Sequence, residues 1–309
     1  MTTALITHLA CLEHVMPSSH PESPERLRAV LAALEAPEFS SLLRIQAPVA
    51  SMEQLALAHP AGFAEALLAK LPERGFAFID GDTPMSPGSG VAALHATGAV
   101  VQAVDMVMRG DVRNAFCAVR PPGHHAESSR AMGFCLFNNV AVGAMWARKH
   151  WNCARIAVID FDVHHGNGTQ EIFQRDSGLF YASTHQAPFY PGTGAAHETG
   201  IAGNVVNVSL QAGAGSDAFR AAMRDRVLPA LASFGPDFIL ISAGFDAHMQ
   251  DPLANLWLEE EDYDWVTREI MRIADAHCAG RVVSALEGGY DLGALASSVQ
   301  AHVRALMAA

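Results

Sequence analysis

The amino-acid sequence predicts one α/β domain built around a largely parallel β-sheet. Short apolar runs alternate with longer stretches of helical periodicity from one end of the chain to the other, without a low-complexity linker or an internal repeat. The chain has 309 residues, of which 50% are hydrophobic and 17% charged, so it can bury a large core. We therefore expect residues 1–309 to form a single domain.

Eight apolar runs bounded by polar or glycine-rich residues are predicted to be strands. Continuous apolar runs of this kind are typical of strands that are buried on both faces of a parallel sheet. In chain order the predicted strands are Ala4–Thr7, Leu43–Ala47, Ala115–Val119, Ile156–Phe161, Leu179–Thr184, Asn204–Leu210, Phe238–Ala243 and Val282–Glu287.

Helices are predicted between these strands. Ser23 followed by Pro24 is typical of a helix start, since proline is favoured at the first helical position. Ser51 and Gln54 have the spacing of a capping box, and Pro60 is predicted to open the next helix. The longer predicted helices are Gly90–Arg109, Asn138–His150, Asp217–Ser233, Glu260–His277 and Leu292–Leu306.

Composition and charge narrow the classes of function. A net charge of −12 without a cluster of Lys or Arg disfavours direct binding to nucleic-acid phosphates. The N-terminus has neither a basic start nor a signal-peptide apolar stretch, and no run of 18 or more apolar residues occurs, so we expect a cytoplasmic protein without a membrane segment. The five cysteines lack CxxC spacing, which argues against a disulfide framework or a thiolate zinc site.

The stretch from Asp160 to Gly168 carries two carboxylates and two imidazoles directly after a buried strand. Because alternate side chains of a strand share a face, Asp160, Asp162 and His164 are expected to point the same way. An Asp oxygen and a His nitrogen can both lie about 2.0–2.2 Å from one zinc ion, and a third ligand from elsewhere leaves an open position. The alternative, a loop that only caps the next helix, explains one Asp but not the burial of so much charge.

Three other predicted strands also end in polar motifs. Since ligands bind beyond the carboxyl ends of parallel strands, these motifs are expected to meet at one edge of the sheet. Asp246, in Ala-Gly-Phe-Asp, is a candidate third ligand beside Asp162 and His164. A metal-activated water that attacks an amide needs a base and an acid, and the tandem His124 and His125 suits both roles. The alternative for such a tandem is a pair of histidines in a surface turn.

Weaker signals accompany these motifs. Asp160 and Asn167 are candidate partners that fix the tautomers of the histidine pair. Tyr290, after two glycines, can donate a hydrogen bond to an oxyanion, although Gly-Gly-Tyr alone more often marks a turn with a packed aromatic ring. Phe134 and Tyr190 lie in glycine-containing loops, where facing rings can make a narrow apolar slot, although core packing is the usual fate of such rings.

In this order, the motifs resemble those of the zinc-dependent histone deacetylase family, from His20-Pro21-Glu22 to Gly289-Tyr290. The resemblance implies the arginase/deacetylase fold, a three-layer α/β/α arrangement with a central, mostly parallel sheet of eight strands. Asn167 is more similar to the class II and bacterial deacetylase-like amidohydrolase branch, since class I relatives usually carry Asp there.

The resemblance also implies a role for each site residue. The implied zinc ligands are Asp162, His164 and Asp246, the implied catalytic residues are His124, His125 and Tyr290, and the implied channel residues are Phe134, His165, Tyr190 and Leu253. His125 is the better candidate for carrying a proton to the leaving amine, and His165 is placed at the channel base. The family more usually has Phe in place of Tyr190. A structural potassium ion is implied near the zinc, held by backbone carbonyls, Asp160 and Ser183.

Substrate choice depends on the channel mouth. Polyamine-selective members carry an acidic gatekeeper at a position that matches Leu253, and a leucine cannot pair with a second ammonium group. This favours an N-acyl-lysine or another mono-amide, in a protein or a small molecule, over an acetylpolyamine, although Asp80, Asp82 or Glu22 can supply an acid from another loop. Two other functions stay open: a binuclear manganese ureohydrolase, which needs further metal ligands, and a non-enzymatic acyl-group binder.

Overall fold

The computed structural model describes residues 2–308, so Met1 and Ala309 of the predicted domain lie outside the described residues. Its ten strands include a small separate hairpin. They are β1 (Thr3–Thr7), β2 (Leu43–Gln46), β3 (Ala77–Phe78), β4 (Pro84–Met85), β5 (Asn114–Cys117), β6 (Ile156–Asp160), β7 (Leu179–Gln186), β8 (Val205–Leu210), β9 (Phe238–Ala243) and β10 (Val282–Leu286). The main sheet has the order β2-β1-β5-β10-β9-β6-β7-β8 with every neighbouring pair parallel, which confirms the predicted fold class.

Helices cover both faces of this sheet. They are α1 (Pro24–Ala33), α2 (Met52–Leu55), α3 (Phe63–Leu68), α4 (Ser89–Arg109), α5 (Asn139–Trp151), α6 (Asn167–Phe173), α7 (Ser216–Ala222), α8 (Leu228–Phe234), α9 (Glu260–Cys278) and α10 (Leu292–Ala308). Helices α4 and α5 pack together in one layer, and α1, α10, α9 and α8 pack in succession in the other. Helix α4 is long and apolar enough to cross a membrane, but 72% of its most apolar stretch is buried inside the protein, as in a core helix.

The helices differ from the sequence prediction at three places. The helix expected to open at Pro60 begins at Phe63, because Gly62 adopts a left-handed conformation with φ of 87° and ends a turn there. The helix expected over Asp217–Ser233 contains a π-helical segment, Met223–Val227. This wider turn precedes Pro229, whose ring would clash with a carbonyl of the preceding turn in a regular α-helix. Helix α6 was not predicted, since the glycines around its start lower its helical propensity.

The sheet topology brings the polar motifs to one place. Strands β10, β9 and β6 are neighbours in the centre of the sheet, and every residue of these three strands is buried. All eight strands of this sheet are parallel, so their carboxyl ends lie at the same edge. There β6 ends in Asp160, and the chain continues after β9 and β10 into the loops that carry Asp246 and Glu287. The buried strands therefore give these loops a rigid base.

Candidate metal centre and active site

Within residues 2–308, one group of three side chains has metal-ligand geometry: Asp162, His164 and Asp246, all buried, with their ligand atoms within 4.8 Å of one another. His164 Nδ1 lies 3.1 Å from Asp162 Oδ1 and 3.0 Å from Asp246 Oδ2. The backbone orients both carboxylates, because the Gly288 N–H donates to Asp162 Oδ2 at 2.8 Å and the Val163 N–H donates to Asp246 Oδ1 at 2.9 Å. The three candidate ligands are therefore preorganised.

The electrostatics of this cluster fit a bound cation. Burial, together with the charge of Asp162, raises the pKa of Asp246 to about 7. Burial alone lowers the pKa of His164, but the Asp162 and Asp246 carboxylates outweigh it and raise that pKa to about 10. Without a metal, protons thus occupy the positions that a cation takes when it binds. Two carboxylate oxygens and one imidazole nitrogen suit a single divalent ion such as zinc, with a coordination position left open.

Two glycines leave the space that this cluster needs. A Cβ atom at Gly244 would overlap the Asp162 carboxylate, and a Cβ atom at Gly288 would overlap those of both Asp246 and Asp162. Any other residue at these positions would therefore displace a candidate ligand.

The histidine pair lies beside the cluster, with a different partner for each ring. His124 Nδ1 is 3.0 Å from Asp160 Oδ2, which also accepts a hydrogen bond from the Tyr181 hydroxyl at 3.0 Å. His125 Nδ1 is 2.9 Å from Asn167 Oδ1. The ring centroids of the two histidines are 4.0 Å apart. Asp160, Asp162 and His164 were expected to point the same way. Asp160 instead binds His124, and it is not one of the three candidate metal ligands.

These partners drive the two imidazoles toward opposite protonation states. Burial lowers the pKa of His124, but the charges of Asp162 and Asp160 outweigh it and hold that pKa well above its ordinary value. Burial and the neighbouring His124 and His164 hold the pKa of His125 well below its ordinary value. The surroundings of His124 thus favour its charged form and those of His125 its neutral form, an arrangement that suits an electrostatic partner and a proton acceptor.

A buried carboxylate that the sequence analysis did not single out supports the histidine turn. Glu287 Oε2 accepts hydrogen bonds from the N–H groups of Gly123 at 2.6 Å and His124 at 3.2 Å, and Ser242 Oγ donates to Oε1 at 3.1 Å. Burial raises the pKa of Glu287 to about 7, although His124 acts in the opposite direction. Its place at the carboxyl end of strand β10 was the available signal, since Asp160 and Asp246 lie at the carboxyl ends of strands β6 and β9.

A cavity of about 240 Å³ opens above this centre. It is lined by Asp82, Pro122, His124, His125, Gly133, Phe134, His164, Tyr190, Leu253, Gly288 and Tyr290. The Tyr190 ring stands edge-on to His125 with centroids 5.2 Å apart, and the Phe134 ring stands edge-on to Tyr290 at 6.0 Å. The structure thus brings Phe134, Tyr190 and Leu253 together as walls of a narrow, largely apolar pocket above the candidate metal site.

His165 does not line this cavity, contrary to the expectation that it lies at the channel base. Its Nδ1 is 2.7 Å from Thr193 Oγ1 and its Nε2 is 2.9 Å from Gln170 Oε1, so both nitrogens are engaged away from the pocket. Burial, assisted by the nearby His185, lowers the pKa of His165 to about 3. The chain turns sharply between the adjacent histidines, and His164 alone faces the cavity.

Tyr290 is held by groups that are distant in sequence. The Arg26 guanidinium carbon lies 4.8 Å from the centre of its ring, and Arg26 also donates to the carbonyls of Gly289 and Glu287, each at 2.5 Å. The Tyr290 N–H donates to Asp251 Oδ2 at 2.7 Å. Arg26 and Asp251 gave no isolated signal in the sequence, because each acts through backbone groups that only the folded chain brings near.

Comparisons with known proteins agree with this geometry. Residues 20–306 match the histone deacetylase domain family. The chain is 40% identical to the histone deacetylase-like amidohydrolase of Pseudomonas aeruginosa over 88% of this chain and 73% of that protein. It is 36% identical to type-2 histone deacetylase 2 of Dictyostelium discoideum over 99% of this chain, but it spans only 21% of that relative's length. The crystal structure of the HDA15 HD domain superposes with a TM-score of 0.94 at 36% identity, over 99% of this chain and 88% of that one. The chain therefore belongs to the histone deacetylase family and is a hydrolase of amide bonds.

Proposed function

We propose that this protein is a zinc-dependent deacetylase that removes an acetyl or related acyl group from lysine-like primary amines. The observation that carries the proposal is the base of the cavity, where His164 of the three candidate metal ligands lies beside His124 and His125, whose pKa values are shifted in opposite directions. Metal ligands alone also suit a structural site, and histidines alone also suit a turn. Together, beneath a narrow pocket, they supply what amide hydrolysis requires.

Asp162, His164 and Asp246 would hold the zinc ion. When bound, the ion supplies Lewis-acid activation of water and of the substrate carbonyl. One three-ligand group among the described residues favours a single ion over the two ions of a binuclear ureohydrolase. A potassium ion at Asp160 and Ser183 is also part of the proposal, supported by the burial of both residues and by their pairing across strands β6 and β7.

The histidine pair would move the protons. Asn167 Nδ2 donates to Glu127 Oε1 at 2.8 Å, which turns Asn167 Oδ1 toward His125 Nδ1. His125 Nδ1 must then carry the hydrogen, and its Nε2 lone pair remains free as a proton acceptor. The neutral His125 takes a proton from the attacking water and returns it to the leaving amine, while the charged His124, held by Asp160, stabilises developing negative charge.

Tyr290 and the pocket walls would orient the substrate. The Tyr290 hydroxyl donates a hydrogen bond to the carbonyl oxygen as negative charge develops on it, and burial keeps that phenol protonated by raising its pKa. Phe134 and Tyr190 would flank a slender acyl-amine chain. Leu253 contributes no charge to the pocket wall, which favours an acyl-lysine in a peptide, a protein or a small molecule as the partner.

An acetylpolyamine is the second candidate substrate. Asp82 is among the residues that line the same cavity, and its carboxylate would supply the acidic partner for a second ammonium group that Leu253 cannot provide. The two assignments differ in the substrate that the enzyme should hydrolyse faster, an acyl-lysine or an acetylpolyamine.

A competition assay tests the proposal. The purified, zinc-loaded protein is offered acetyl-lysine peptides, longer acyl-lysines and acetylpolyamines together, and the zinc content per chain is measured. We expect one zinc per chain and preferential hydrolysis of an acyl-lysine. A preference for acetylpolyamines would transfer the assignment to the second candidate, whereas two metal ions per chain, or no hydrolysis of any of these amides, would refute it.

A further inference from the structure

We propose that Asp251 is a positioning residue that sets the place of the Tyr290 hydroxyl over the reacting carbonyl. The inference rests on the proposed deacetylase function. Asp251 lies in the loop after strand β9, five residues beyond the candidate ligand Asp246, and its side chain does not line the cavity.

Both carboxylate oxygens of Asp251 are bound to backbone groups of the pocket wall. Oδ2 accepts the Tyr290 N–H at 2.7 Å, and Oδ1 accepts the Leu253 N–H at 2.9 Å. Asp251 is itself 7% exposed, and its N–H donates to the His248 carbonyl at 2.9 Å. One buried carboxylate thus joins the loop after β9, which carries Asp246 and Leu253, to the loop after β10, which carries Tyr290.

The contacts of the Tyr290 ring are less directional than the hydrogen bond from its backbone N–H to Asp251. The Arg26 guanidinium faces the ring at 4.8 Å, and the Phe134 ring meets it edge-on at 6.0 Å. Both ring contacts tolerate sliding of the ring. The backbone from which the ring projects is fixed by directional hydrogen bonds, from the Tyr290 N–H to Asp251 and from Arg26 to the neighbouring Gly289 carbonyl, and of these the Asp251 bond is the one made by Tyr290 itself. Since a misplacement of about 1 Å can reduce catalysis by about a hundredfold, this bond is well placed to control the rate.

An Asp251→Asn substitution breaks one of the two bonds without changing the size of the side chain. The amide offers one oxygen and one NH₂ group, so one backbone N–H must face a donor instead of an acceptor. If Tyr290 shifts as a result, the loss should appear in kcat rather than KM. It should be largest for a substrate that depends on oxyanion stabilisation.

The test compares acetyl-lysine and trifluoroacetyl-lysine peptides. The trifluoroacetyl carbonyl is electrophilic enough to need less help from Tyr290. We expect Asp251→Asn to lower kcat for the acetyl peptide about tenfold to a hundredfold, and to lower it much less for the trifluoroacetyl peptide. Tyr290→Phe should give the same pattern, and the double variant should resemble Tyr290→Phe alone because the two residues act as one unit.

Asp237→Asn is the matched control. Asp237 Oδ2 also accepts two backbone N–H groups, from Ala154 at 3.0 Å and Arg155 at 2.9 Å, but it lies before strand β9, at the opposite edge of the sheet from the cavity. This variant should keep wild-type kinetics on both peptides.

Equal losses on both peptides, or losses in the double variant that multiply, would overturn the role of Asp251. If Asp251→Asn does not fold or does not retain zinc, Asp251→Glu serves instead. It keeps both acceptors but moves them by one methylene, so it should show the same substrate-dependent loss, and equal losses would overturn the role here too. A wild-type protein inactive on both peptides would refute the deacetylase assignment itself, a result distinct from either of these.

Discussion

Glu22 is the residue whose replacement we expect to reduce stability most clearly. Its carboxylate is fully buried and accepts hydrogen bonds from Arg120 Nε at 2.5 Å, Arg120 Nη2 at 2.6 Å and Arg26 Nη1 at 3.1 Å. Both arginines are fully buried as well. Glu22→Gln keeps the shape of the side chain but removes the negative charge, which leaves two buried guanidinium groups without their counter-charge.

Two independent considerations give the magnitude. Burial raises the pKa of Glu22, but the neighbouring groups, Arg120 above all, outweigh it and lower that pKa from an ordinary value of 4.5 to about 2. This difference corresponds to about 3 kcal/mol in favour of the charged form, since one pH unit is worth about 1.4 kcal/mol. Removal of one partner from a buried ion pair typically costs about 3–5 kcal/mol. We therefore expect Glu22→Gln to lower the free energy of unfolding by about 3–5 kcal/mol.

Urea unfolding at pH 7 measures this effect, with Glu25→Gln as control because the Glu25–Arg28 pair is more than half exposed. A pair of that kind contributes about 0–1 kcal/mol. The pKa of Glu22 is depressed in the folded state, so its stabilisation is fully present above pH 4.5 and is lost as pH falls toward 2. The wild-type advantage over Glu22→Gln should be constant from pH 7 to 5 and then shrink. A loss no larger than that of Glu25→Gln, or an advantage that grows on acidification, would refute the reasoning.

Four further outcomes follow from the site. Asp246→Ala should abolish both stoichiometric zinc, measured by mass spectrometry, and activity, and retention of both would move the third ligand elsewhere. Tyr290→Phe should lower kcat about a hundredfold to a thousandfold with little change in zinc content, and turnover near wild type would contradict its oxyanion role. Zinc must displace the proton of His164, whose pKa is about 10, and below pH 7 also that of Asp246. Zinc affinity of the metal-free protein should thus fall about tenfold per pH unit from pH 9 to 7 and more steeply below, and a pH-independent affinity in competition titrations would be inconsistent with this. Leu253→Glu should raise the rate of acetylpolyamine hydrolysis relative to that of acyl-lysine peptides. An unchanged ratio of the two rates would show that residue 253 does not determine substrate choice.

The sequence predicted the strands better than the ends of the helices. The continuous apolar run Ile156–Ile159, which begins strand β6, can be recognised locally, because a strand buried on both faces is apolar at every position and not only at alternate ones. The start of helix α3 depends instead on the left-handed conformation of Gly62, and the irregular turn before Pro229 depends on how a clash is relieved. These are properties of the folded backbone that a residue pattern does not encode.

The candidate site also combines features that the sequence predicts with features that depend on the folded backbone. The motifs at the strand ends predicted which side chains would meet, and the structure brings Asp162, His164 and Asp246 within reach of one ion. The family resemblance implied that His165 lies at the base of the channel, but the turn of the chain directs its ring toward Gln170 and Thr193. The side chains of adjacent residues can point in different directions. A pair of adjacent histidines in the sequence therefore does not show that both rings face the pocket.

The sequence by itself determined the fold class, the family and the edge of the sheet at which the chemistry lies, because buried parallel strands and their polar ends are local patterns. Only the tertiary structure decided that Glu287 supports the histidine turn, that Asp251 holds the backbone of Tyr290 and that Glu22 binds the two buried arginines. Glu22, Asp251 and Glu287 bind groups that lie 39 to 164 positions away in the chain, the most distant being the bond from the Gly123 N–H to Glu287. Such contacts exist only after the sheet has brought distant loops to one edge, where burial gives each charge its effect.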